Sequence, residues 1–212
     1  MDPREVVRII DSALSSQDVG PAPRFDEYHI IKSIMIILKE KTIGRVRLSR
    51  ILSIGEGSAR TMVSRMKALG IIEESKAGCT LTALGHNLAE ALSLRIPMVA
   101  DVQVGELGVD GFSVGILVRG VSDRVDVIKL RDEAVRRGAR ALITMILIDG
   151  RLAMPTVEDN VMARWPKLAS NIIEVFRPIR GDVILIGVAD NRLMAEKGAL
   201  MAAWTLAFKW TI

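Results

Sequence analysis

The chain has 212 residues, 50% of them hydrophobic and 25% charged, with a formal net charge of +4, which supplies a packed core for one large or two ordinary domains and argues against disorder. Its mean hydropathy of +0.30 is high, yet every apolar run breaks before the ~18 to 20 residues that a membrane-spanning helix needs. The N-terminus carries Asp2, Arg4, Glu5, Arg8 and Asp11 in place of an apolar leader core, so a cytoplasmic protein off the membrane is expected.

In chain order, residues 3–14 show a short amphipathic pattern (Val6, Val7, Ile10, Leu14), and the Ser-, Gly- and Pro-containing stretch 15–23 reads as a linker. Apolar positions 30, 31, 34, 37 and 38 predict a helix over 26–39 with one buried face. A shorter helix follows Thr42-Ile43-Gly44, with Leu48, Ile51 and Leu52 on one side. After the tight connection 53–57 a third helix is predicted from Ser58, a good N-cap, to Gly70, a good C′ residue, with Ala59, Met62, Val63, Met66 and Leu69 inside. Residues 71–74 and 79–82 read as two antiparallel strands about a turn at 75–78, followed by a helix over 83–94 that ends before Pro97.

The second half alternates differently. Strands are predicted at 99–107, 112–119, 140–148, 151–155 and 182–189, and helices at 123–137, 158–176 and 191–208, the first of these capped by Ser122 or Asp123. This order predicts an α+β domain with helices on a mainly antiparallel sheet. The expected division is an N-terminal helix and linker (1–25), a first domain (26–97) and a second domain (98–212).

The segment GSARTMVSRMKALGIIEESKAGCTLTALG, residues 57–85, resembles the winged-helix family of DNA-binding regulators. The "Leu-Gly-apolar-Ile" step Leu69-Gly70-Ile71-Ile72 and the "Leu-Thr-x-x-Gly" closure Leu81 to Gly85 carry the resemblance, which covers about seventy residues. It implies that the 58–69 helix enters a major groove and that the hairpin is a wing. The residues themselves agree. Thr61, Ser64 and Ala68 lie opposite the apolar face, Arg60 and Arg65 flank them, and no acid lies between Ser58 and Gly70. Small residues permit close approach to base edges and guanidinium groups read guanine or phosphate. Residues 39–76 hold nine Lys or Arg against four acids, whereas 98–212 hold fifteen against fourteen, so the basic excess sits where nucleic acid would dock. Ser58, Arg60, Thr61, Ser64 and Arg65 are the expected reading residues, Lys76 the wing-tip contact, and Arg45, Arg47 and Arg50 phosphate contacts. Each arginine equally suits a plain solvated surface.

The block GDVILIGVADNRLMAEKGALMAAWTLAF, residues 181–208, resembles the second half of certain archaeal winged-helix proteins, a domain of unknown function. Its Asp190-Asn191 turn reads either as an anion site or as an ordinary N-cap. The stretch 105–111 is a glycine-containing turn rather than a dinucleotide fingerprint, and Arg119, Arg124, Asp149 and Arg151 lie near strand ends without forming one constellation. Cys79, the single cysteine, rules out an intramolecular disulfide and reads as inert packing or a redox sensor. Tyr28, His29 and His86 read as packing or surface residues. No metal or other cofactor is expected.

Three functions stay open. The first is a transcriptional regulator that binds double-stranded DNA as a homodimer, with a C-terminal domain for dimerisation or for sensing a small-molecule effector; two-fold pairing is expected because one reading helix covers few base pairs. The second is a winged-helix protein–protein interaction module. The third is an enzyme in the C-terminal half, which has no histidine and no diagnostic carboxylate spacing.

Overall fold

The computed structural model describes residues 1–15 and 24–211, so the stretch read as a linker lies, from residue 16 on, outside the described residues. The chain divides into two compact units, Met1–Leu92 and Ser93–Ile212. It is a mixed α and β protein whose strand pairs are all antiparallel among the described residues.

The first unit begins with α1 (Pro3–Leu14), capped by the Asp2 carboxylate on the Arg4 N–H, with Val6, Val7, Ile10 and Ala13 buried. Next come α2 (Glu27–Glu40), α3 (Arg45–Leu52), α4 (Glu56–Ala68), the hairpin β1 (Ile72–Ser75) and β2 (Gly78–Leu81), and α5 (Ala83–Arg95). His29 is buried because its Nδ1 accepts the Asp26 backbone N–H at 3.0 Å, closing the first turn of α2. Two residues expected inside are not: Leu38 is 38% and Ile51 41% exposed, each at the margin of its helix's apolar stripe.

The start of the third helix also differs from expectation. α4 opens from Gly55, in extended conformation, so Ser58 lies within its first turn and does not cap it. The end is as expected. Gly70 takes a left-handed φ of 70°, its N–H reaches the Lys67 carbonyl at 2.9 Å and that of Ile71 reaches Met66 at 2.9 Å, a paired closure that releases the chain into β1. Thr82 then ties the hairpin back. Its hydroxyl donates to the Gly70 carbonyl and accepts the Gly85 N–H at 3.2 Å. Gly85 must be glycine, because a Cβ there would stand 2.1 Å from the Ile71 carbonyl oxygen.

The second unit is built on a five-stranded sheet in the order β3-β4-β7-β5-β6. Its strands are β3 (Met98–Asp101), β4 (Phe112–Val118), β5 (Ala141–Ile148), β6 (Arg151–Ala153) and β7 (Val183–Ala189). β7, buried along its whole length, is central because Val, Ile, Leu and Ala fill both of its faces. α6 (Val127–Arg136) and α9 (Arg192–Ala207) cover one face of the sheet. α7 (Val161–Arg164) and α8 (Pro166–Phe176) supply Val161, Leu168, Ala169, Ile172 and Phe176 to the core on the other.

Three expected elements are shorter or split. The predicted strand over 99–107 stops at Asp101, and Gly105–Leu107 forms a 3-10 turn, so buried Val102 and Val104 anchor irregular chain. The helix predicted over 123–137 starts at Val127 after a 3-10 turn, Ser122–Arg124, and its cap is Asp126. The helix predicted over 158–176 breaks at Trp165, because Pro166 has no N–H to continue α7 and instead begins α8.

Candidate nucleic-acid interface

Helix α4 buries Ala59, Met62, Val63 and Met66, a 3.6-residue stripe that fixes which side faces outward. The chain reaches it through Ser53, a left-handed residue at the end of α3 whose N–H meets the Arg50 carbonyl at 3.2 Å. The outward side is Gly57, Arg60, Ser64, Lys67 and Ala68, all exposed, with Thr61 half-buried beside them and its hydroxyl turned back onto the Gly57 carbonyl at 3.2 Å. Arg60, Ser64 and Lys67 stand at i, i+4 and i+7, one straight row. Among the described residues, no hydrogen bond or ion pair engages the side chain of Arg60 or Lys67.

Lys67 is not among the residues expected from the sequence, although its spacing from Arg60 and Ser64 puts it on the same face. Ser58 and Arg65, by contrast, turn to the flank. Ser58 Oγ accepts the Arg24 backbone N–H at 3.2 Å. The half-buried Arg65 donates from Nη1 to the Leu14 carbonyl at 2.9 Å, and its guanidinium carbon lies 5.3 Å from the centre of the Phe25 ring.

The arginines around α3 divide as well. Arg47 forks onto Glu40, with contacts at 2.8 and 3.0 Å, and Arg45 sits 3.8 Å from Glu74. Arg50 is exposed with no such partner among the described residues. Lys76 stands exposed with Ala77 in the two-residue turn between Ser75 and Gly78. The hairpin is held against the end of α2 by backbone bonds between Ile43 and Cys79 at 2.9 and 3.1 Å. Cys79 is fully buried on that strand, and burial, with the Glu74 carboxylate as a lesser cause, pushes its thiol above the ordinary range; this favours the packing role over a reactive thiolate.

In the second unit, the residues singled out near strand ends do not converge. Arg119 pairs with buried Asp182, Arg124 lies 3.8 Å from Asp123, Asp149 is 3.6 Å from Arg180, and Arg151 is exposed. Asp190-Asn191 acts as a cap: the Asn191 side chain accepts the Met194 N–H at 2.9 Å. A cleft of 430 Å³ lies beside it, where Asp101, the 102–105 turn, Phe112 and Arg192 meet. Arg192 is held there by Asp101 and buried Glu196, both at 2.8 Å. Among the described residues no group of three or more His, Cys, Asp or Glu side chains could hold a metal ion, and no helix is long and apolar enough to cross a membrane.

Residues 30–87 match the family model described as "PH0730-like, N-terminal domain", and residues 109–206 match "Domain of unknown function (DUF4443)". Among solved structures, the chain is similar to the hypothetical protein PH0730 from Pyrococcus horikoshii OT3, at 26% identity and a TM-score of 0.68 over 84% of this chain and 91% of that one. None of the curated proteins matches.

Proposed function

We propose that the N-terminal unit is a winged-helix DNA reader and that the protein is a sequence-specific transcriptional regulator acting as a homodimer. The observation that carries this reading is the row Arg60, Ser64, Lys67 on α4, exposed, with no acid between Ser58 and Gly70 and no ion-pair partner for either cation among the described residues. A helix with a small central side chain and a cation on either side fits a major groove. Arg50 and Lys76, exposed and outside ion pairs among the described residues, suit phosphate contacts. Arg45 and Arg47 would first have to leave Glu74 and Glu40. The second unit serves assembly or effector sensing, and the cleft beside Arg192 has room for a small polar molecule.

Fluorescence anisotropy with random duplex and with the protein's own upstream duplex tests the reading. Wild type should prefer one sequence and weaken steeply with salt, and Arg60→Ala/Lys67→Ala should lose both properties. Absence of binding at low salt, or binding unchanged in the double variant, would overturn it and turn attention to a protein partner.

A further inference from the structure

We infer that Arg65 is a positioning residue, which staples α1 to α4 and so makes α1 an integral part of the reading unit. Its functional consequence rests on the DNA-reading assignment; the staple itself rests on contacts within the N-terminal unit alone.

The angular position of Arg65 comes first. At about 100° per residue, it lies roughly 140° around α4 from Arg60, next to Ser58 at about 160° and away from the Arg60–Ser64–Lys67 row. Both flank residues are occupied by the chain that precedes α2. Ser58 accepts the Arg24 N–H, and Arg65 holds the Leu14 carbonyl on one side and the Phe25 ring on the other. One guanidinium therefore touches the last residue of α1 and the residue two before α2, and it pins both onto α4.

The chemistry suits that place. Leu14 ends α1, where unsatisfied carbonyls gather the negative end of the helix dipole, and α1 has no basic residue of its own in its last turn. Arg65 supplies that missing cation from another element. α1 is only twelve residues long, below the length at which an isolated helix persists in water, so it depends on its packing against α2 and α4 and on this bond. A planar guanidinium can donate at its edge and lie on an aromatic face at the same time, which an ammonium group cannot reproduce.

The test compares Arg65→Met and Lys67→Ala in the full chain, read by amide hydrogen exchange of the free protein and by salt-dependent duplex anisotropy. In Arg65→Met the α1 amides should exchange at least about tenfold faster, the loss expected for one charge-assisted bond, while the sheet of the second unit is unchanged. Duplex affinity should fall several-fold with the salt slope kept. Lys67→Ala should instead lower that slope by about 0.9 and leave α1 exchange alone. Arg65→Lys, which keeps the cation but cannot donate to Leu14 and lie on the Phe25 ring at once, should restore α1 protection only in part, whereas a phosphate contact would be rescued in full by lysine. Unchanged α1 exchange in Arg65→Met, or a reduced salt slope, would overturn the staple. If the wild type binds no duplex, the DNA reading fails while the exchange measurement still decides the staple.

Discussion

Asp182 is buried at the start of β7 with its carboxylate on the Arg119 guanidinium. The same carboxylate accepts the backbone N–H groups of Ile179 at 2.8 Å and Gly120 at 3.3 Å. One side chain thereby joins the end of β4 to the turn that feeds the central strand. Asp182→Ala leaves Arg119 and two amides without their acceptor, and breaking such a group should cost about 3 kcal/mol. Urea unfolding followed by circular dichroism measures it; a loss below about 1 kcal/mol, the level of a surface pair, would mean that the network is not structural.

Gly85 gives the second prediction. Replacement by alanine gains helix propensity of about 1 kcal/mol but forces a methyl group into the Ile71 carbonyl, 2.1 Å away, and backbone cannot give way as a flexible side chain does. A net loss of about 2 kcal/mol is expected. Gly57→Ala is the control: it also lies in a helix, nothing stands within 4 Å of its Cβ position, and it should gain about 0.5 kcal/mol. Equal midpoints for the two variants would refute the close approach of α5 to β1.

These local relationships explain which parts of the molecule were legible in the sequence. The inner face of α4 follows from the spacing of Ala59, Met62, Val63 and Met66, and its end from Gly70, because both are set within a few residues of chain. Its start was misread because Ser58 has the chemistry of a cap, while its hydroxyl is taken by Arg24, thirty-four residues away in sequence. The flank position of Arg65 follows from its spacing within α4, but its partners, Leu14 and Phe25, lie about forty to fifty residues away in sequence and no periodicity within α4 reports them. Lys67 could have been found by stepping from Arg60 through Ser64. In the second unit the alternation of strands and helices was visible, but the order β3-β4-β7-β5-β6 was not, since it depends on β7 passing between β4 and β5.

Cys79 supports a prediction about reactivity. Its thiol is fully buried on β2 and its ionisation is pushed up, first by burial and then by Glu74. A raised thiol pKa means that the neutral form is favoured in the folded state, so this contribution to stability is complete at neutral pH. It declines as pH rises past about 8.5, where the unfolded thiol ionises. Iodoacetamide at pH 8 should therefore label urea-unfolded chain readily and native chain at least about tenfold more slowly, because the buried thiol is both less ionised and sterically shielded. Equal labelling rates would show that β2 opens freely and would revive the redox reading.

Asp126 supplies the pH dependence of opposite sign. Its carboxylate accepts the Lys129 backbone N–H at 3.1 Å and faces the Lys129 ammonium at 3.0 Å. The backbone hydrogen bond is the chief cause that holds its acid below the usual carboxylate range, with the Lys129 side chain adding to it. A depressed carboxyl pKa contributes stability above the unfolded value of about 3.9, and that contribution is lost as pH falls through the folded value. Asp126→Asn keeps an equally good capping side chain and removes only the charge. Wild type should therefore be the more stable at pH 7, and the two proteins should converge as pH falls below about 4. High salt at pH 7 should narrow the gap as well, since the site is open to solvent. Paired thermal midpoints at pH 7 and pH 3 measure this; a gap that stays constant across that range would mean that α6 is capped by geometry alone, with no part played by the carboxylate charge.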